Sequence, residues 1–272
     1  MSCDDCFKTI PHTGTPAGRS ETIAGVETYI SEPTGAAATG QKKILLYFSD
    51  VFSPFYINSQ LIQDWFASNG ILVPLFATNS IIDTHAGYTV LGLDYFFGDR
   101  LESLMKQPDF VRETWRDKVV AQAREYTPRW VEAVRQRYGT TNVKYFAVGY
   151  CFGAPYVFAL ADDPTFNLAA GAVAHPSSIY DSATKQLKPG VIENCVAPIA
   201  FGCAEIDGAF PVEARRQAED ILVKNKAHYY FQVFSGVSHG FGTRGDPVDD
   251  TQRFAKEECA RGFLQWFNRF AA

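Results

Sequence analysis

The chain has 272 residues, 46% of them apolar and 20% charged, with a net charge of -5. Such a length and composition suit one α/β domain with a core large enough to need no disulfide or metal staple. A mildly acidic chain without a basic block excludes nucleic acid and anionic membrane surfaces as natural partners.

In chain order, residues 26–31 read as a first strand. The run Ile44 to Phe48 is continuously apolar, as strands buried on both faces are. From Asn58 to Ser68 the apolar residues Leu61, Ile62, Trp65 and Phe66 recur at helical spacing, and Asn69-Gly70 ends the helix. Two apolar runs follow, Ile71 to Ala77 and Tyr88 to Phe97. Pro128 predicts that the helical stretch Arg112 to Tyr138 divides into two helices. Val143 to Val148, Leu168 to Ala174, Pro198 to Phe201 and Tyr229 to Phe234 read as strands. Phe152 to Ala161, Val212 to Asn225 and Asp250 to Phe270 read as helices. This alternation predicts an α/β fold: a mainly parallel sheet with helices on both faces, and chemistry on loops at the carboxyl ends of its strands. One domain over residues 1–272 is expected.

Gly149-Tyr150-Cys151-Phe152-Gly153 lies between a strand and a helix. It has the form of the G-x-S-x-G nucleophile elbow with Cys in place of Ser. The glycines allow a tight turn, and the helix N-terminus favours a thiolate and an oxyanion. Alone, the motif also fits a structural cysteine beside packing glycines. His239 follows the last strand, where a general base would stand, although a surface-loop histidine fits as well. Asp207 follows the strand before it; it could orient that base or cap a helix. The order Cys151, Asp207, His239 is the nucleophile–acid–base order of α/β-hydrolases.

These motifs, with Ser49-Asp50-Val51-Phe52, Leu93-Asp94-Tyr95-Phe96-Phe97-Gly98-Asp99, Ala174-His175-Pro176-Ser177 and Arg244-Gly245-Asp246, resemble the dienelactone hydrolase family in its fungal branch. The resemblance spans nearly the whole chain. It implies the α/β-hydrolase fold, no cofactor, and a Cys–His–Asp triad that opens small lactones or esters through an acyl-cysteine. It further implies oxyanion N–H groups on Val51 and Phe152, an acid near the resting thiol at Asp50, and a substrate-carboxylate contact at Arg244. Asp50 is one methylene shorter than the Glu of bacterial relatives. Arg100 is a weaker anion candidate and reads better as a solvated surface charge. Tyr95 and Phe96, together with Tyr47, Tyr56, Phe97 and Trp115, are candidates for an aromatic pocket wall.

Residues 71–87 are extra relative to the family pattern and suggest an insertion, as a flap or as a tolerated loop; alternatively Ile71 to Ala77 takes the strand place. Cys3-x-x-Cys6 has metal or redox spacing, but no second ligand pair accompanies it, so it reads as a mobile N-terminus. His175 could be a core histidine or line the cleft. Cys195, Cys203 and Cys259 read as buried structural cysteines, and His85 as exposed. The N-terminus has no secretory pattern, which suggests a cytoplasmic setting. The expected partner is a small ester or lactone, with no metal, no membrane, and a monomeric or homodimeric state. Two alternatives stand beside the lactone hydrolase. One is a hydrolase or isomerase of a polyketide-type intermediate; the other is an inactive small-molecule-binding protein of the same fold.

Overall fold

The computed structural model describes residues 4–33, 41–69 and 87–271. The proposed insertion (apart from Gly87), its alternative strand Ile71 to Ala77, His85 and Cys3 lie outside the described residues. A 3-10 turn, Asp4–Phe7, is followed by β1 (Arg19–Ile23), β2 (Val26–Ser31), β3 (Lys42–Phe48), α1 (Ile57–Ser68), β4 (Thr89–Leu93), α2 (Leu101–Leu104) and α3 (Arg112–Tyr138). Next come β5 (Val143–Tyr150), α4 (Ala154–Asp162), β6 (Ala170–Ala174), β7 (Tyr180–Asp181), β8 (Gln186–Leu187) and β9 (Ile199–Ile206). The chain continues with α5 (Val212–Lys224), β10 (Tyr229–Ser238), α6 (Phe241–Arg244) and α7 (Asp250–Ala271).

Eight strands form one sheet in the order β1-β2-β4-β3-β5-β6-β9-β10. The β1/β2 and β2/β4 pairs are antiparallel, and every pair from β4 to β10 is parallel. This is the mainly parallel arrangement that the alternation of elements predicts. The strand place beside β3 belongs to Thr89–Leu93, which pairs with Ile44 to Tyr47.

Strand periodicity divides the core. On β3, Ile44, Leu46 and Phe48 face the cluster built with Trp115, Val119, Val157, Phe158 and Leu222 of α3, α4 and α5. Leu45 and Tyr47 face the other way, into the cluster of Ile62, Phe66, Phe263 and Phe267 from α1 and α7. Burying each large apolar side chain contributes about 1.5–3 kcal/mol. That reward explains the unbroken apolar run from Ile44 to Phe48 on β3.

The expected break at Pro128 does not occur, and α3 runs unbroken through it. Pro128 is exposed, so the carbonyl it leaves unpaired can turn to water, while buried Ala123, Thr127, Trp130 and Val131 hold both flanks to the core. The N-terminal segment also differs from expectation. Asn58 binds the His12 N–H through Oδ1 at 2.8 Å, and its Nδ2 donates to the carbonyls of Ile10 and Thr243, each at 3.0 Å. Thr9 Oγ1 donates to Tyr56 at 3.1 Å. These bonds tie the segment to α1 and α6, and Cys6 is buried.

Candidate active site

The carboxyl ends of β3, β5, β6, β9 and β10 meet at one edge of the sheet. At the end of β5 the chain turns so tightly into α4 that Cys151 takes φ +48°. A non-glycine residue rarely holds that conformation without support from its surroundings. The flanking glycines supply the space. A Cβ on Gly153 would stand 2.1 Å from the Phe48 carbonyl oxygen, and one on Gly149 would stand 2.8 Å from that of Gly153. Strand β3 and the elbow therefore touch backbone to backbone, which only glycine permits.

At the neighbouring edge, the His239 N–H donates to the Ile206 carbonyl at 3.0 Å. That bond sets the loop after β10 against the end of β9 and brings His239 beside Asp207. His239 Nδ1 lies 2.9 Å from both Asp207 oxygens, and its Nε2 lies 3.1 Å from Cys151 Sγ. Asp207 Oδ1 also accepts the N–H groups of Ala209 and Phe210 at 2.8 and 2.9 Å, which fixes the carboxylate. All three side chains are buried.

The electrostatics follow from this geometry. The Cys6 contact is the largest influence on Cys151; with the charge of His239 it overcomes burial and holds the thiol well below its ordinary range. Burial opposes a charge on His239, but the Cys151 thiolate and the Asp207 carboxylate prevail and raise it to about 10. Both shifts favour a thiolate on Cys151 paired with an imidazolium on His239.

A cleft of about 430 Å³ opens over Cys151, lined by Cys6, Val51, Trp115, Phe152, Ser177 and Tyr180 among others. Val51 follows β3, and Phe152 lies in the first turn after the elbow, where helical N–H groups lack intrahelical partners.

Several expectations are corrected. The bonds of Asp50 go to α6 and to its own loop. Its Oδ2 accepts Thr243 Oγ1 at 2.7 Å and Arg244 at 2.5 Å, and its Oδ1 accepts the Phe52 N–H at 3.0 Å. Arg244 is buried in that ion pair, over the Phe52 ring, and does not line the cleft. Its Nη1 donates to the Asp50 carboxylate and its Nη2 to the Asp5 carbonyl at 3.3 Å, while its buried Nε has no partner among the described residues. Arg100 is neither an anion contact nor a solvated charge. It donates to fully buried Asp94 and to Ser53, each at 2.8 Å. Tyr95 and Phe96 lie one layer behind the wall: both rings pack on Phe152, and Phe96 stacks on Trp115. Of the six candidate aromatics, Trp115 is the one that reaches the cleft.

Sequence reasoning missed Cys6, whose Sγ lies 3.3 Å from His239 Nε2 and 3.7 Å from Cys151 Sγ. Its spacing to Cys3 points to metal or redox chemistry, but nothing local links it to Cys151 and His239, which lie far along the chain. Ser177, with its hydroxyl 3.6 Å from Cys151 Sγ, and the cations Arg116 and Lys188 at the cleft were missed as well. His175 is fully buried, its ring centroid 5.0 Å from that of His239.

The dienelactone hydrolase family model matches residues 26–271. Dienlactone hydrolase 1 of Gibberella moniliformis is 32% identical, covering 98% of this chain and 93% of its own length. Hydrolase tropI of Talaromyces stipitatus is 30% identical, covering 99% and 96%. Among solved structures, a dienelactone hydrolase-type protein of Klebsiella pneumoniae superposes with a TM-score of 0.68 at 14% identity, covering 92% of this chain and 97% of its own. An esterase of Thermogutta terrifontis gives 0.58 at 16%, covering 94% and 97%.

Proposed function

The chain belongs to the dienelactone hydrolase family and is a hydrolase, and we propose that it opens small lactones or carboxylic esters by nucleophilic attack of Cys151. The observation that carries this reading is the unbroken hydrogen-bonded line Asp207–His239–Cys151 beneath an open cleft.

The Cys151 thiolate attacks the acyl carbon, and the carbonyl oxygen takes up the negative charge. The N–H groups of Val51 and Phe152 stabilise that oxyanion. As the intermediate collapses, the acyl C–O bond breaks and the His239 imidazolium gives its Nε2 proton to the leaving alkoxide. In a lactone this opens the ring and leaves a thioester on Cys151. Neutral His239 then takes a proton from water, which attacks the thioester. The thiolate leaves, the acid is released, and the resting ion pair is restored. Asp207 keeps Nδ1 protonated and the ring aligned throughout.

The walls of the cleft narrow the substrate. Trp115, Phe152, Val51 and Phe7 favour an apolar or aromatic acyl group, which also suits a polyketide-type lactone. With Arg244 tied to Asp50, a substrate carboxylate would meet Arg116 and Lys188 instead. Residues 1–272 are read as one domain in this proposal, cytoplasmic and acting as a monomer or homodimer. No helix among the described residues is long and apolar enough to cross a membrane.

The test is a panel of lactones and short esters, with and without a carboxylate, assayed alongside trapping of the acyl-enzyme. The expected result is turnover together with a mass adduct on Cys151. Cys151→Ala should lose both, with kcat down on the order of 10⁴–10⁶. Full activity in Cys151→Ala would overturn the proposal.

A further inference from the structure

Cys6 gives the site a third soft donor beside Cys151 and His239. Cys6 Sγ, Cys151 Sγ and His239 Nε2 form a closed triangle with edges of 3.7, 3.3 and 3.1 Å, and all three residues are buried. A tetrahedral ion bound at ~2.3 Å to sulfur and ~2.0 Å to nitrogen spaces its ligand atoms by roughly 3.5–3.8 Å. The observed triangle is one face of that tetrahedron, contracted by a few tenths of an ångström on its two nitrogen edges. The far nitrogen of His239 already rests on Asp207, which is the carboxylate–histidine support that zinc sites use to fix ring and tautomer.

We propose that Cys6, Cys151 and His239 bind a soft divalent cation, Zn²⁺, and that binding switches the hydrolase off by occupying its nucleophile and base. The metal site rests on the triangle alone; its inhibitory effect rests also on the hydrolase reading.

Thiolate and imidazole ligands select zinc over calcium or magnesium, which prefer oxygen. From the resting pair, uptake releases two protons to solvent, one from the Cys6 thiol and one from His239 Nε2. Two thiolates then neutralise the ion, so the buried site carries no net charge from the complex. The buried Arg244 charge nearby is already met by Asp50. Three protein ligands leave a fourth position for water or for Ser177, whose hydroxyl lies 3.6 Å from Cys151 Sγ. The cleft that Cys6 and Cys151 line supplies the path of entry.

The segment carrying Cys6 is anchored through Asn58 rather than through the triangle, so removing the Cys6 sulfur leaves its tether in place. Cys6→Ala therefore isolates the third ligand.

The experiment titrates the chelator-stripped full chain with zinc chloride under reducing conditions. Uptake is followed by calorimetry and, in parallel, by hydrolysis of an activated ester. One Zn²⁺ per chain is expected, with activity falling in step with occupancy and returning on addition of EDTA. In Cys6→Ala both the affinity and the inhibition midpoint, each compared with that variant's own zinc-free state, should weaken about 100-fold or more, since even outer-shell losses cost 10–100-fold. Cobalt(II) in place of zinc should give a thiolate charge-transfer band that diminishes in Cys6→Ala and in Cys151→Ala. Equal uptake and inhibition in wild type and Cys6→Ala, or no stoichiometric uptake, would overturn the site. Ester hydrolysis that persists with zinc in excess would overturn the switch while sparing the hydrolase. Zinc bound through Cys6 by a chain that hydrolyses no ester would refute the hydrolase reading and leave the metal site standing.

Discussion

Two regions of the molecule bury cysteine to the same degree and shift its thiol in opposite directions. Inside the sheet and its helix layer lie Cys203 on β9 and Cys259 on α7. Burial pushes Cys203 up to about 12 and Cys259 well above the ordinary thiol range. At the carboxyl edge, Cys151 is no more exposed, yet Cys6 and His239 pull its thiol down. Depth by itself makes sulfur inert; an imidazole held in place by a carboxylate makes it reactive. The contrast can be broken from either side.

The largest break comes from removing the support behind the base. Asp207→Asn should leave the fold in place but offer His239 an amide that no longer fixes its tautomer. A loss in kcat on the order of 10⁴ is expected, with a thermal midpoint close to wild type. A fall of less than tenfold would mean that His239 needs no orienting carboxylate.

The same contrast should show in labelling. Iodoacetamide should modify Cys151 at neutral pH at a rate nearly independent of pH, because its thiolate persists well below the ordinary thiol range. Cys203, whose thiol burial pushes up to about 12, should stay unlabelled in the native state. The sign differs for turnover. His239 must be protonated to release the alkoxide, so hydrolysis should decline as pH rises through about 10, where the raised His239 loses its proton. A pH–rate profile that instead rises through the ordinary thiol pKa would contradict the resting ion pair.

How far each region can be read from sequence follows the same physics. β3 and β5 are legible because burial on both faces demands an unbroken apolar run. The elbow is legible because Gly149 and Gly153 are required by backbone contact, and the order Cys151, Asp207, His239 because strand ends deliver all three to one edge. What sequence hides is pairing across long separations. Nothing local joins Asp50 to Arg244, and a family likeness alone assigns one to the resting thiol and the other to a substrate carboxylate. Cys6 is hidden for a related reason: its position depends on Asn58 and Thr9, whose bonds leave no periodic trace. The single helix through Pro128 shows the converse, a strong local rule overridden because the proline sits on the exposed side and the core holds both flanks.

The Asp50–Arg244 pair sharpens the comparison in units of stability. Asp50→Ala strands a buried guanidinium, and breaking such a pair typically costs about 3–5 kcal/mol. Urea denaturation should register a loss of that order. Replacing both, as in Asp50→Leu with Arg244→Met, should recover part of it. If Arg244→Met alone leaves stability unchanged while selectively raising KM for carboxylate-bearing esters, Arg244 reads substrate after all.

The smallest effect belongs to the inert sulfurs. Cys259 Sγ fills the space above Gly202, where a Cβ would stand only 2.3 Å away, so helix α7 and strand β9 approach through that sulfur. Cys259→Ala removes one atom of packing and no hydrogen bond that hydrolysis uses. A cost of about 1 kcal/mol is expected by analogy with small core truncations, with kcat/KM within about twofold of wild type, inside what independent sites ordinarily show. The reverse exchange, Gly202→Ala, should cost more, because its Cβ would overlap the buried Cys259 sulfur in a packed layer with little room to give. Denaturation midpoints of the two variants, measured beside their ester hydrolysis, check both halves. A large activity loss in Cys259→Ala at near-native stability would mean that the sulfur behind the sheet communicates with the edge, and the division between the two regions would fail.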